Sequence, residues 1–178
     1  PARQLRVRGT GDARAPFFTN EDEKRLLFEL SQMSNKNHLR LTKLALATGF
    51  RRSELLSLTW RNIDLQKNKI YVQRKACAAR WSSFSMRIVP LPKKAKDLLT
   101  SFKNKEGKII NLTKGSARSG FDRAKKKANL NNLRFHDLRH IAISRMWSYG
   151  MNALEISACS GHRDIKMLMR YSHYQLTF

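Results

Sequence analysis

Between Phe135 and Tyr171 the chain reads FHDLRHIAISRMWSYGMNALEISACSGHRDIKMLMRY. His136 and Arg139 stand three residues apart, Gly161 and His162 form a pair, and Tyr171 comes nine residues after that histidine. Upstream lie Arg51, with Glu54 three residues on, and Lys75, the only lysine between Lys69 and Lys93. Together these groups suit chemistry on a phosphodiester. Two guanidiniums and an imidazole can grip non-bridging oxygens as charge grows on them in the transition state. An ammonium can protonate a departing 5′ oxygen, which would otherwise leave as a poor alkoxide. A phenol with a pKa of about 10 can attack phosphorus once a neighbouring imidazole or water takes its proton. The phosphotyrosyl bond so formed would keep the energy of the broken linkage. Such chemistry calls for no metal and no nucleotide cofactor, and the sequence has no Walker loop or carboxylate cluster to hold one.

Each group also has a plainer reading. His136 and Arg139 share a helix face and could be an idle surface pair. Glu54 could orient Arg51 through a carboxylate–guanidinium hydrogen bond, or the two could be a structural ion pair. Lys75 could be a solvated strand end. Tyr171 is in helical register with Met167 and Leu168, where a core tyrosine would also sit. The combination points to chemistry more strongly than any member does.

The elements that must carry these groups are mostly helical. Thr19 and Asn20 precede Glu21, Asp22 and Glu23, which marks a helix start, and Leu26, Leu27 and Leu30 give that helix one buried face as far as about Met33. A second helix spans about 37–48, stopped by Gly49, and a short one spans 53–58. After the turn-like 64–69, the alternation in 70–75 and the run 87–91 read as an antiparallel β-hairpin with room for a third strand. The loop between them, 76–86, is long, polar and aromatic. Helices are expected over 93–103, 116–128 and about 137–148. Asn152 and Glu155 form a capping box for the next helix, which Gly161 ends, and Asp164 caps a last helix bearing Tyr171. The expected class is mostly α with a small antiparallel β-sheet.

Composition narrows the partner. The 178 residues suit one domain, with 41% hydrophobic residues. Lys and Arg number 36 against 13 Asp and Glu, a net charge of +23 with a pI near 10.9. A field of that size attracts polyanions, and nucleic acid fits best. Residues 1–17 carry Arg3, Arg6, Arg8 and Arg14 without periodicity and read as a basic linker or arm ahead of one folded domain, 18–178. Cys77 and Cys159 lie far apart, which argues against a disulfide framework or zinc site and for the cytoplasm. No apolar run approaches the roughly 18 residues of a membrane span. The chain begins at Pro1, as an excised fragment would.

The segments TGFRRSELLSLTWRNID (48–64), the strand at Lys75 with RIVPL (87–91), FHDLRH (135–140) and SGHRDIKMLMRYSH (160–173) together resemble the catalytic domain of tyrosine recombinases, the phage integrase family. Within it, the stretch from His136 to His173 is most similar to shufflon-type DNA invertases. The resemblance implies a site-specific recombinase that cleaves and rejoins double-stranded DNA through a 3′-phosphotyrosyl intermediate, whether for integration, excision or inversion. It implies Arg51 and Arg139 as phosphate-binding arginines, His136 and His162 as aids to proton transfer and phosphate binding, Lys75 as general acid and Tyr171 as nucleophile. Glu54 matches the family's acidic supporting position. It further implies a tetramer on two DNA sites, a monomeric isolated domain, and a separate N-terminal DNA-clamping domain outside this chain. Two positions depart from the pattern: the gap from Lys75 to Arg87 is long, and Arg52 stands where the family more often has an apolar residue. A catalytically inactive DNA-binding protein of the same fold and a type IB topoisomerase are the alternatives.

Overall fold

The structure is a computed structural model that describes residues 18–73, 86–162 and 164–169. In chain order these form α1 (Asn20–Ser31), α2 (Asn37–Thr48), α3 (Arg52–Ser57), a 3-10 turn (Trp60–Asn62), β1 (Ile63–Asp64), β2 (Lys69–Gln73), β3 (Met86–Pro90), α4 (Lys93–Thr100), α5 (Lys114–Lys127), α6 (Asp137–Ser148), α7 (Ala153–Ser160) and α8 (Lys166–Met169). The expected class holds. The third strand is the short β1, which pairs Ile63 with Ile70 across the turn.

Two helices form the centre. α2 buries His38, Leu41, Thr42, Leu44, Ala45, Leu46 and Thr48 and packs against α1, α3, α4, α5 and α6. α6 is buried nearly all round, through Leu138, Arg139, Ile141, Ala142, Ile143, Ser144, Met146 and Trp147. Side chains enclosed to this degree contribute about 1.5–3 kcal/mol each for a Leu, Ile or Phe. The core runs on without a break through Leu26 and Leu30 of α1, Phe121 of α5 and Ile156 of α7.

Local chemistry fixes the ends that matter. Thr19 caps α1 in a reciprocal box with Asp22: the Asp22 N–H donates to Thr19 Oγ1 at 3.1 Å and the Thr19 N–H to Asp22 Oδ2 at 2.8 Å. Asn152 and Glu155 do the same for α7. Gly49 and Gly161, with φ of 66° and 73°, end α2 and α7 in the left-handed conformation, where an L side chain is disfavoured. Those two turns release the chain at the residues that lead to Arg51 and His162.

The sheet leans one face on this core. β2 and β3 pair antiparallel with Val72 opposite Arg87. Along β2, Ile70 and Val72 point inward; along β3 the inward residues are Arg87 and Val89, and Ile88 faces out. The strand therefore delivers an arginine to the interior.

Candidate active site

Arg139 is the anchor. Its side chain is buried on α6, and Nη1 donates to Gly49 O at 2.7 Å and to Ser160 O at 2.8 Å. These carbonyls lie at the C-terminal ends of α2 and α7, the negative poles of both helix dipoles. Two of its hydrogen bonds thus go to oriented helix dipoles. Nη2 lies 3.2 Å from the His162 ring nitrogens.

His162 follows the Gly161 turn and is held from both ends. Ser157 Oγ donates to its carbonyl at 2.8 Å, and Ser160 Oγ lies 2.7 Å from Nδ1. Ser160 Oγ already donates its proton to Ile156 O, so it accepts from Nδ1–H. The hydrogen-bond pattern then leaves Nε2 to accept from Arg139. Burial first, then the positive charges of Arg139 and Arg51, with His140 and His136 behind them, push the His162 pKa down to about 4.

Arg51 stands just outside α3, with 45% of its side chain exposed. Its backbone N–H donates to Glu54 Oε2 at 2.8 Å, and its guanidinium reaches Glu54 Oε1 at 3.3 Å. Glu54 orients Arg51, as its spacing suggested, but its stronger partner is Arg87. That buried side chain donates to both carboxylate oxygens, Nη1 to Oε1 at 2.8 Å and Nη2 to Oε2 at 3.1 Å. Burial alone would raise the Glu54 carboxyl. The hydrogen bonds from Arg87 and Arg51, and their charges, outweigh it and hold the pKa below the usual range.

His136 lies at the entrance to α6, in the capping position rather than within the helix. Its ring meets the His140 ring edge to face at 4.9 Å. Packing against protein lowers its pKa, and Arg139 and Arg51 add to that, against an opposing pull from Asp137. His136 and Arg139 open onto a cleft of about 440 Å³ whose walls also carry Arg52, Arg118, Lys125 and Arg134. Arg52, the departure from the family pattern, lines this cleft with its guanidinium 5.9 Å from the Phe135 ring centre.

The structure therefore brings Arg51, Glu54, His136, Arg139 and His162 together from three separate stretches of chain. Lys75 and Tyr171 lie outside the described residues, as do Cys77 and the basic arm 1–17. Among the described residues no three His, Cys, Asp or Glu side chains are grouped as a metal site requires. Arg87, His140 and Ser160 escaped sequence reasoning. The available signal for Arg87 was period 2: in MRIVP it shares a face with Val89, the face that Ile70 and Val72 of the paired strand also use.

Comparison with known proteins agrees with this fold. The family model described as the phage integrase family matches residues 16–177. The chain is 32% identical to the shufflon-specific DNA recombinase of Escherichia coli, over 97% of this chain and 44% of that protein. It is 30% identical to the integrase of Escherichia phage 186, over 98% of this chain and 48% of that protein. The catalytic domain of bacteriophage HP1 integrase superposes with a TM-score of 0.70 at 28% identity, covering 90% of this chain and 88% of that one. The chain spans about half the length of the curated relatives it matches. With the family model covering nearly every residue and the arginine–histidine cluster built on the matching fold, this chain belongs to the phage integrase family.

Proposed function

We propose that this chain is the catalytic domain of a site-specific recombinase that breaks and rejoins double-stranded DNA through a 3′-phosphotyrosyl intermediate. The observation that carries the proposal is Arg139. A buried guanidinium, held by the carbonyls at the ends of α2 and α7 and set with His162 beside an exposed Arg51, is placed as a phosphate ligand. Arg139 and Arg51 would take the two non-bridging oxygens of the scissile phosphate. Preorganised donors of this kind act where charge develops and need no reorganisation as the reaction proceeds.

In the forward step the Tyr171 oxygen attacks phosphorus, the bond to the 5′ oxygen breaks, and that oxygen takes a proton from Lys75. The phenol proton passes to a neutral imidazole or to water. His162 is held neutral at physiological pH in the free protein, and its Nε2 lone pair, which there accepts from Arg139, is released for a proton when the phosphate takes that donor. A phosphate entering beside it would offset the two guanidiniums and raise its basicity as the substrate binds. Resealing is the same step reversed, with the 5′ hydroxyl of a partner strand attacking the phosphotyrosine.

The basic cleft lined by Arg52, Arg118, Lys125 and Arg134 would carry backbone phosphates flanking the scissile one, and the +23 charge supplies the long-range attraction. The working assembly would be a tetramer on two DNA sites, formed in the cytoplasm on its DNA. The test is a nicked suicide duplex carrying a recombination site from DNA flanking the gene. Cleavage should trap a covalent protein–DNA adduct without added metal or nucleotide, and Tyr171→Phe should abolish it. An adduct that forms only with added divalent metal would overturn the mechanism.

A further inference from the structure

Arg87 touches two of the segments that hold site residues, the 50–54 stretch and the Gly161–His162 turn, yet lies too deep to reach a substrate. Its side chain is 5% exposed. On one side it forms the two-pronged pair with Glu54, which in turn orients Arg51. On another, its guanidinium carbon lies 5.0 Å from the centre of the Phe50 ring, and Phe50 joins Gly49, whose carbonyl holds Arg139, to Arg51. On a third it presses against Gly161, the residue before His162: a Cβ there would lie 2.8 Å from Arg87 Nη1. Through β3 it belongs to the hairpin, opposite Val72 of β2.

The charges matter as much as the contacts. A lone Glu54 beside Arg51 would neutralise it and draw it into a closed ion pair, the worst state for a phosphate ligand. With Arg87 present the carboxylate already has a cation at 2.8 and 3.1 Å, and Arg51 is the looser partner at 3.3 Å. The trio of two cations and one anion keeps a net positive charge, and the exposed member is Arg51.

We propose that Arg87 is a positioning residue for strand cleavage: it takes up the charge of Glu54, so that Glu54 can aim Arg51 without neutralising it, and it braces the Gly161–His162 turn. This rests on the cleavage reading above. Arg87 acts through Glu54 and Gly161 and does not touch DNA.

The test is single-turnover cleavage of the suicide duplex by the wild type, Arg87→Met, Arg87→Lys, Glu54→Gln and the Arg87→Met/Glu54→Gln double variant, with duplex affinity measured in parallel. Loosening a positioned group by about 1 Å can cost about 100-fold in rate, so Arg87→Met should cleave roughly that much more slowly while binding duplex nearly as well. Arg87→Lys, which keeps the charge but not the fork, should fall between the two. If Arg87→Met fails to fold, Arg87→Lys carries the test, with a loss of about tenfold expected. The double variant should lose less than the product of the single losses, because both act through one carboxylate.

A pH profile separates this role from simple support of the fold. The groups facing Glu54 are Arg87 from β3 and Arg51 ahead of α3; His136 and His162 feel the charge of Arg51, and the Cys159 thiol of α7 feels that of Arg87. With Arg87 removed, Glu54 protonates more readily, so the acid limb of cleavage should move to higher pH. In the Glu54→Gln background that shift should vanish. Wild-type cleavage with Arg87→Met or Arg87→Lys within threefold of it, strictly multiplicative losses, or an unmoved acid limb would overturn the proposal. A wild type that forms no adduct would instead fell the cleavage reading, and the role of Arg87 with it.

Discussion

The burial of His162, and the positive charge that converges on it, have a consequence for stability that can be measured without any DNA. In the unfolded chain an ordinary histidine takes its proton near pH 6.5. In the folded protein His162 refuses it until pH about 4. Below pH 6.5 the unfolded state therefore binds a proton that the native state does not, so native stability falls as the pH drops from 6.5 towards 4. At about 1.36 kcal/mol per tenfold change in proton affinity, the loss should be about 2 kcal/mol at pH 5 and about 3 kcal/mol at pH 4 and below. His136 and His38 also have lowered pKa values, so the total pH dependence contains several contributions. Urea denaturation of wild type and His162→Gln at pH 7.5 and pH 5 isolates the one of interest, since the Gln amide can still accept from Arg139 but does not titrate. The variant should lose about 2 kcal/mol less than the wild type on acidification. Identical pH dependence in the two proteins would refute the claim that burial and the neighbouring guanidiniums hold this ring neutral. A short duplex should relieve the effect by bringing phosphate to the same guanidiniums.

Other expectations concern single components. Arg139→Met leaves the buried carbonyls of Gly49 and Ser160 without their donor, so denaturation should show a loss of about 3–5 kcal/mol, only partly restored in Arg139→Lys; a loss under about 1 kcal/mol would show that the carbonyls find other partners. Duplex affinity should fall linearly with the logarithm of salt concentration, at a slope of about −0.9 per phosphate neutralised, and a flat response would contradict the electrostatic reading of the basic cleft. Lys75→Ala should cleave slowly on an ordinary duplex and recover on a 5′-bridging phosphorothioate, whose thiolate leaves unaided. Equal loss on both substrates would remove Lys75 as the general acid.

Local signals in the sequence carried much of the fold. Gly49 and Gly161 stop helices because their backbones turn left-handed, and the Thr19–Asp22 and Asn152–Glu155 boxes start them through side-chain oxygens. Each rule acts within four residues, so the chain displays it directly. The spacing of His136 and Arg139 was legible too, although His136 turns out to sit at the mouth of α6 while Arg139 is buried inside it. Arg87 was not legible. Hydrophobic Met86 and Ile88 flank it, and period 2, which groups it with Val89, does not by itself tell which face of a short edge strand is inward. Its partner Glu54 is 33 residues away in sequence. The Ser160 hydroxyl was hidden for a similar reason: it matters only once the Gly161 turn folds the His162 ring back onto it.

The most direct measurement is the identity of the residue that holds the DNA. Protease digestion of the trapped adduct followed by mass spectrometry should find the 3′-phosphate on Tyr171 alone, in the peptide that follows α8. Attachment at Tyr174, or at any serine or histidine of the cluster, would contradict the assignment of the nucleophile on which the proposed reaction depends.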